Sequence, residues 1–118
     1  MGQDFGEYVR ERREALRAKD QRYSVRQVAG RVGVEPSYLS KVERGLQPPP
    51  SEGTIVALAK DLGEEPEVLL AMAGKVSSDL LRIIRERPRL FSDLLRQLKD
   101  LPNHALLRLV REVRDGDW

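Results

Sequence analysis

Apolar residues recur at helical spacing along nearly the whole chain, and glycines and prolines cut that pattern into segments. Phe5, Tyr8, Val9, Ala15 and Leu16 predict a first helix from Asp4 to about Ala18. The stretch AKDQRY (18–23) reads as a polar connection. Ser24 is then a predicted N-cap, with Gln27 three residues on, and Val25, Val28, Ala29 and Val32 supply the apolar stripe of a second helix that Gly33 stops. Pro36 suits the first turn of a third helix, which runs through Tyr38, Leu39 and Val42 to Gly45. The connector LQPPP cannot continue a helix, because its prolines lack the amide hydrogen.

Ser51 is a predicted cap for a fourth helix through Ile55, Val56, Leu58, Ala59 and Leu62, closed by Gly63, and Pro66 opens a short fifth helix, EVLLAMAG. Beyond Gly74 the segments DLLRIIRER, RLFSDLLRQLKDL and NHALLRLVREVRD, parted by Pro88 and Pro102, predict three more short helices without an internal repeat. The expected architecture is a five-helix domain over residues 4–74 followed by a helical C-terminal region over 76–115.

Composition agrees with an all-α fold. Leu, Ala, Arg and Glu dominate, aromatics are only 5%, and strand-forming runs are missing. With 40% apolar and 34% charged residues, a chain of 118 residues can fold around one core. No apolar run approaches the roughly 20 residues that span a bilayer, and MGQDFGEYVR has no apolar leader core, so the expected location is the cytoplasm, with no membrane partner. The absence of cysteine excludes disulfides, thiolate zinc sites and a cysteine nucleophile. His104 is the only histidine and follows Pro102-Asn103, where a surface or capping position is expected. The parts for serine catalysis, a metal cluster or a phosphate-cradling glycine loop are missing, so neither enzyme activity nor a cofactor is expected.

Net charge is only +2, but it is unevenly placed. From Val9 to Leu46 there are ten Lys/Arg against five acids, and from Gln47 to Lys75 two against five. The first stretch suits a polyanion and the second does not, unless the charges merely solvate helix faces.

Residues 24–45, SVRQVAGRVGVEPSYLSKVERG, meet the demands of two helices that cross steeply through a tight turn. Ala29 is small where backbones approach, Gly33 tolerates a left-handed backbone, and Val28, Val32, Val34, Leu39 and Val42 are apolar where the pair must pack. This stretch resembles the Cro/repressor-type, or XRE, helix-turn-helix family. The match is carried by Val28-Ala29, Gly33-Val34, Tyr38-Leu39-Ser40 and Glu43-Arg44-Gly45, with SEGTIVALAKDLG similar further on.

The resemblance covers roughly residues 5–74. It implies a five-helix lambda-repressor-like fold whose third helix enters the DNA major groove, in a protein that regulates transcription, as a repressor. It places Glu35, Pro36, Ser37, Ser40 and Lys41 nearest base edges. Lys41 is the candidate donor to guanine, weighed against a solvated helix face. Tyr38, Arg44 and the Gly45 backbone are expected against phosphates, with Arg26 beside them. Val25 stands where the family commonly has a DNA-contacting Gln, and Glu35 stands in place of its Ser or Thr cap. Arg13 and Glu43 match a structural ion pair of similar repressors, weighed against direct DNA contact.

Downstream, Leu80, Leu81, Ile84, Leu90, Phe91, Leu94, Leu95 and Leu98 are among the apolar residues that three short helices cannot hide by themselves. They are expected to form a dimer interface, the alternative being packing on the first domain. A homodimer on a palindromic operator in double-stranded DNA follows from this reading. The competing reading is an antitoxin-like protein-interaction module on the same fold. A protein partner or a regulatory protease is compatible with the resemblance.

Overall fold

The structure, a computed structural model, describes residues 4–118, and among them every regular element is helical. The expectation of no leader segment rests partly on Met1–Gln3, which lie outside the described residues. Eight α-helices follow in order among the described residues: α1 Phe5–Arg17, α2 Val25–Val32, α3 Pro36–Glu43, α4 Glu52–Leu62, α5 Pro66–Met72, α6 Ser78–Glu86, α7 Pro88–Leu98 and α8 Asn103–Asp115. The chain forms two compact units that divide after Ser78. No helix among the described residues is long and apolar enough to cross a membrane.

Local chemistry explains most helix limits in the first unit. The Asp4 side chain accepts from the Glu7 amide at 2.9 Å, and Ser24 Oγ accepts from the Gln27 amide at 3.2 Å, so two otherwise orphaned donors are satisfied. Pro36 and Pro66 open α3 and α5, where a missing amide hydrogen costs nothing. Ser51 occupies the cap position of α4, but its hydroxyl bonds Thr54 Oγ1 at 3.3 Å rather than a backbone amide, so the expected capping bond is absent. The connection at 18–23 is also more ordered than its polarity suggests. Gln21–Tyr23 form a 3-10 turn capped by Asp20, whose carboxylate accepts from the Arg22 amide at 2.9 Å.

The core joins all five helices through Phe5, Val9, Val28, Ala29, Leu39, Val42, Ile55, Leu58, Ala59, Leu62, Leu69 and Leu70. α4 packs on α5 and α2, while α3 packs on α1 and α2. Gly6 is part of this arrangement. A Cβ there would run into the Val42 carbonyl oxygen and lie 2.9 Å from that of Glu43, so α1 reaches the end of α3 only because residue 6 lacks one. The exit from α5 is clasped to the entrance of α4. Lys75 Nζ donates to the Pro50 carbonyl and the Ser78 amide donates to Glu52 Oε1, both at 2.7 Å.

The second unit is built differently. α6, α7 and α8 contain no fully buried residue. Leu94 and Leu98 of α7 line a groove of about 470 Å³ with Leu109, Val110 and Val113 of α8. Beyond α8, Trp118 donates its indole N–H to the Val113 carbonyl at 2.8 Å.

Candidate nucleic-acid interface

The geometry of α2 and α3 is fixed at both outer ends and at the turn between them. Gly33 has φ 87°, and its left-handed backbone lets the Val34 amide reach back to the Ala29 carbonyl at 3.0 Å, closing α2. Gly45, with φ 75°, closes α3 the same way, the Leu46 amide bonding the Lys41 carbonyl at 2.8 Å. Leu39, Val42 and Glu43 face inward, which turns Ser37 and Lys41, one helical turn apart, to the exposed side.

Arg13 and Glu43 meet as a bidentate pair and sit in the interior, with exposures of 2% and 5%. Arg13 Nε donates to Glu43 Oε2 at 2.7 Å and Nη2 to Oε1 at 2.9 Å. Its remaining donors reach the Tyr23 carbonyl and Glu14 Oε1, each at 3.2 Å. One guanidinium of α1 therefore holds the residue before Ser24 and the last residue of α3. The bonds to Glu43 raise the Arg13 pKa further above its ordinary value, so it remains charged despite burial.

Three other arginines of this unit are also bound to acids. Arg31 binds Asp61 through Nε at 2.6 Å and Nη2 at 3.0 Å, which raises its pKa, and its guanidinium lies 5.1 Å from the Tyr23 ring centre. Arg22 Nη2 donates to Asp20 Oδ2 at 2.8 Å, and the Arg22 bonds pull the Asp20 carboxyl from 3.8 down to about 2. Arg12 lies 3.0 Å from Glu64, whose carboxylate beside the Tyr8 hydroxyl raises that phenol above its usual range.

Lys41 and Arg26 differ from these. Both are exposed, and among the described residues neither side chain has a hydrogen-bond or ion-pair partner. Arg44 is exposed and bonds only the Ser40 carbonyl, at 3.3 Å, leaving its charge uncompensated. Lys41, Arg26 and Arg44 are thus cations that an external anion can engage without first breaking an internal pair. Glu35 is exposed at the cap position of α3 and makes no capping bond. Pro36 and Ser40 are half-buried, and Tyr38 packs its ring partly against the core. Val25 also packs against the core and offers no polar group where a Gln would.

The helix-turn-helix domain family matches residues 4–72, more than half of the chain. The chain belongs to that family. Two relatives, each described as an uncharacterized HTH-type transcriptional regulator, come from Mycobacterium tuberculosis strains CDC 1551 / Oshkosh and ATCC 25618 / H37Rv. Each is 42% identical over 69 residues, covering 58% of this chain and 45% of the relative. The chain thus spans less than half the length of the curated relatives it matches. No solved structure matches it.

Within this helix-turn-helix domain, sequence reasoning missed three elements of the site's support. Gly6 lies in a helix where an exposed position would look the same. Arg31 and Asp61 are 30 residues apart with no shared motif. The Tyr23 carbonyl is a backbone group that no residue type announces. Outside the domain, Leu90 and Leu95 are 70% and 58% exposed, Leu80 and Leu94 are exposed too, and Leu81, Ile84, Phe91 and Leu98 are half-buried.

Proposed function

We propose that this chain is a sequence-specific DNA-binding transcriptional regulator, a repressor of the Cro/repressor type. In this reading α3 enters the major groove of a palindromic operator, with one copy of the chain on each half-site. The observation that carries it is Lys41: an exposed, unpartnered ammonium on a helix-turn-helix helix whose ends are both fixed. Family membership and the description of both relatives as HTH-type transcriptional regulators support the same conclusion. Ser37 and Ser40 join Lys41 toward base edges, while Arg26, Arg44, Tyr38 and the Gly45 backbone take phosphates. Glu35 either accepts from a cytosine amino group or repels the backbone, and so contributes to base choice. Arg13 and Glu43 hold the geometry and stay away from the DNA.

Homodimerisation through α6–α8 accompanies this reading. A unit of 40 residues is too small to bury its own apolar surface: Leu90, Leu95 and Leu107 are more than half exposed, and Leu80, Leu94 and Leu101 are exposed too. The same exposed leucines favour one other reading, a protein-interaction module that masks a different protein.

Selection of binding sites from random duplex DNA decides between them. One enriched palindrome is expected, and Lys41→Ala should weaken binding there by about 1–3 kcal/mol while relaxing the preference at one base pair. No enrichment, together with stoichiometric capture of a protein, would reject the regulator reading. A uniform loss on all duplexes would reassign Lys41 to a phosphate.

A further inference from the structure

The charge of the chain is distributed in a way that the helix-turn-helix domain does not explain. Residues 1–78 hold twelve Lys/Arg and twelve Asp/Glu, so the unit that contains α2 and α3 is electroneutral. Residues 79–118 hold nine against seven, and the whole formal excess of +2 resides there. It is concentrated further. Arg82, Arg85, Arg87 and Arg89 fall within eight consecutive positions at the α6–α7 joint, with one acid, Glu86, among them. All four are exposed, and among the described residues none of their side chains has a hydrogen-bond or ion-pair partner. In the first unit Arg12, Arg13, Arg22 and Arg31 are each bound to a carboxylate, and the cations without such a partner, Arg26, Lys41 and Arg44 among them, lie in a unit with no net charge.

We infer that Arg82, Arg85, Arg87 and Arg89 form a second, sequence-independent phosphate-binding surface for duplex DNA, carried by the second unit. The inference rests on the DNA-binding reading above. The excess of cations over Val9–Leu46 is cancelled by acids elsewhere in the same unit, which weakens its long-range attraction to a polyanion, whereas affinity for DNA comes largely from cations that displace condensed counterions. Arginine suits the task because its planar fork meets phosphate oxygens two at a time. Pro88 also matters. It ends the regular spacing between Arg87 and Arg89, so the four side chains belong to two helices and their joint rather than to one helix face. A membrane surface is the less favoured ligand. Insertion needs the apolar faces of α6 and α7 free, and in the reading above those faces meet a second copy of the chain.

The test uses the full chain, with all four arginines changed to glutamine. Glutamine keeps helix propensity and polarity while removing charge. Circular dichroism and light scattering first establish that fold and oligomeric state are unchanged. Affinity is then measured against salt concentration on the selected operator and on an unrelated duplex. Each arginine that neutralises a phosphate should flatten the slope of log K against log salt by about 0.9, up to about 3.6 per copy. Affinity should fall by the same factor on both duplexes and base preference should not move. A variant with the wild-type slope overturns the inference, as does a loss confined to the operator. If its slope is unmoved but its affinity for vesicles of anionic phospholipid is lost, the surface belongs to a membrane instead. Should the wild type bind a palindrome with Lys41-dependent preference while the glutamine variant keeps its slope, only this inference falls. Should the wild type bind no duplex, the DNA-binding reading falls with it.

Discussion

Replacing Glu43 by alanine removes the acceptor of two of the four hydrogen bonds that Arg13 makes, those at 2.7 and 2.9 Å. The guanidinium stays behind at 2% exposure, held by the Tyr23 carbonyl and by Glu14. Breaking one side of a buried pair typically costs about 3–5 kcal/mol, because the remaining charge is desolvated without compensation. The Glu14 carboxylate is half-exposed and keeps part of its attraction, so the lower end, roughly 3 kcal/mol, is expected. A unit of this size holds about 4–11 kcal/mol in total, at roughly 0.05–0.15 kcal/mol per residue. The loss is therefore a large share of its stability. It should lower the melting temperature by about 12–24 °C, at about 4–8 °C per kcal/mol for a small domain.

Thermal and urea unfolding followed by circular dichroism measure this. Combining Glu43→Leu with Arg13→Leu should recover much of the loss, since a well-packed apolar pair needs no partner for a stranded charge. Strictly additive single effects, or a melting temperature within a few degrees of wild type for Glu43→Ala, would refute the argument.

Other outcomes follow from separate features. Gly6→Ala should destabilise by roughly 1–3 kcal/mol in urea unfolding, because its Cβ meets the Val42 carbonyl, a backbone group that cannot rotate away; an unchanged midpoint would show that α1 and α3 separate freely. The Asp20 carboxyl should titrate near 2 by NMR, and Arg22→Ala should return it toward 3.8. Because its folded value is depressed, its contribution to stability is present above 3.8 and is lost as pH falls toward 2; a midpoint that ignores Arg22 would reject the pairing. Truncation after Ser78 should convert a micromolar dimer into a folded monomer by light scattering, since the clasps at Lys75 and Ser78 are retained. A dimeric truncation, or a monomeric full chain, would remove α6–α8 from the interface.

The helical order of the chain was legible because its punctuation is local. Ser24, Gly33, Pro36, Gly45, Gly63 and Pro66 act through their own backbone or the amide three residues away, and they mark both ends of α2 and α3, the end of α4 and the start of α5. Ser51 shows the limit of this reasoning, since a hydroxyl at the cap position found a threonine side chain instead. The 3-10 turn at Gln21–Tyr23 carries no apolar period and depends on one aspartate. Long-range partners were legible only through resemblance. Nothing in the spacing of Arg13 and Glu43 joins them, and Arg31 and Asp61, with no motif to connect them, were not anticipated. Exposure on α3 follows from its buried positions, but the pairing that leaves Lys41 free and ties up Arg31 requires the tertiary arrangement.

Gly45 does more than end α3. Its left-handed backbone brings the Leu46 amide onto the Lys41 carbonyl, so the residue proposed to read the bases is itself an acceptor in the bond that closes its helix. With Pro36 restricting the other end, little ordering of α3 remains to be done when a duplex arrives. Calorimetry should register that rigidity. Binding should show a heat-capacity change set by the surface buried at the DNA, without the larger decrement that accompanies folding of a disordered segment on its target.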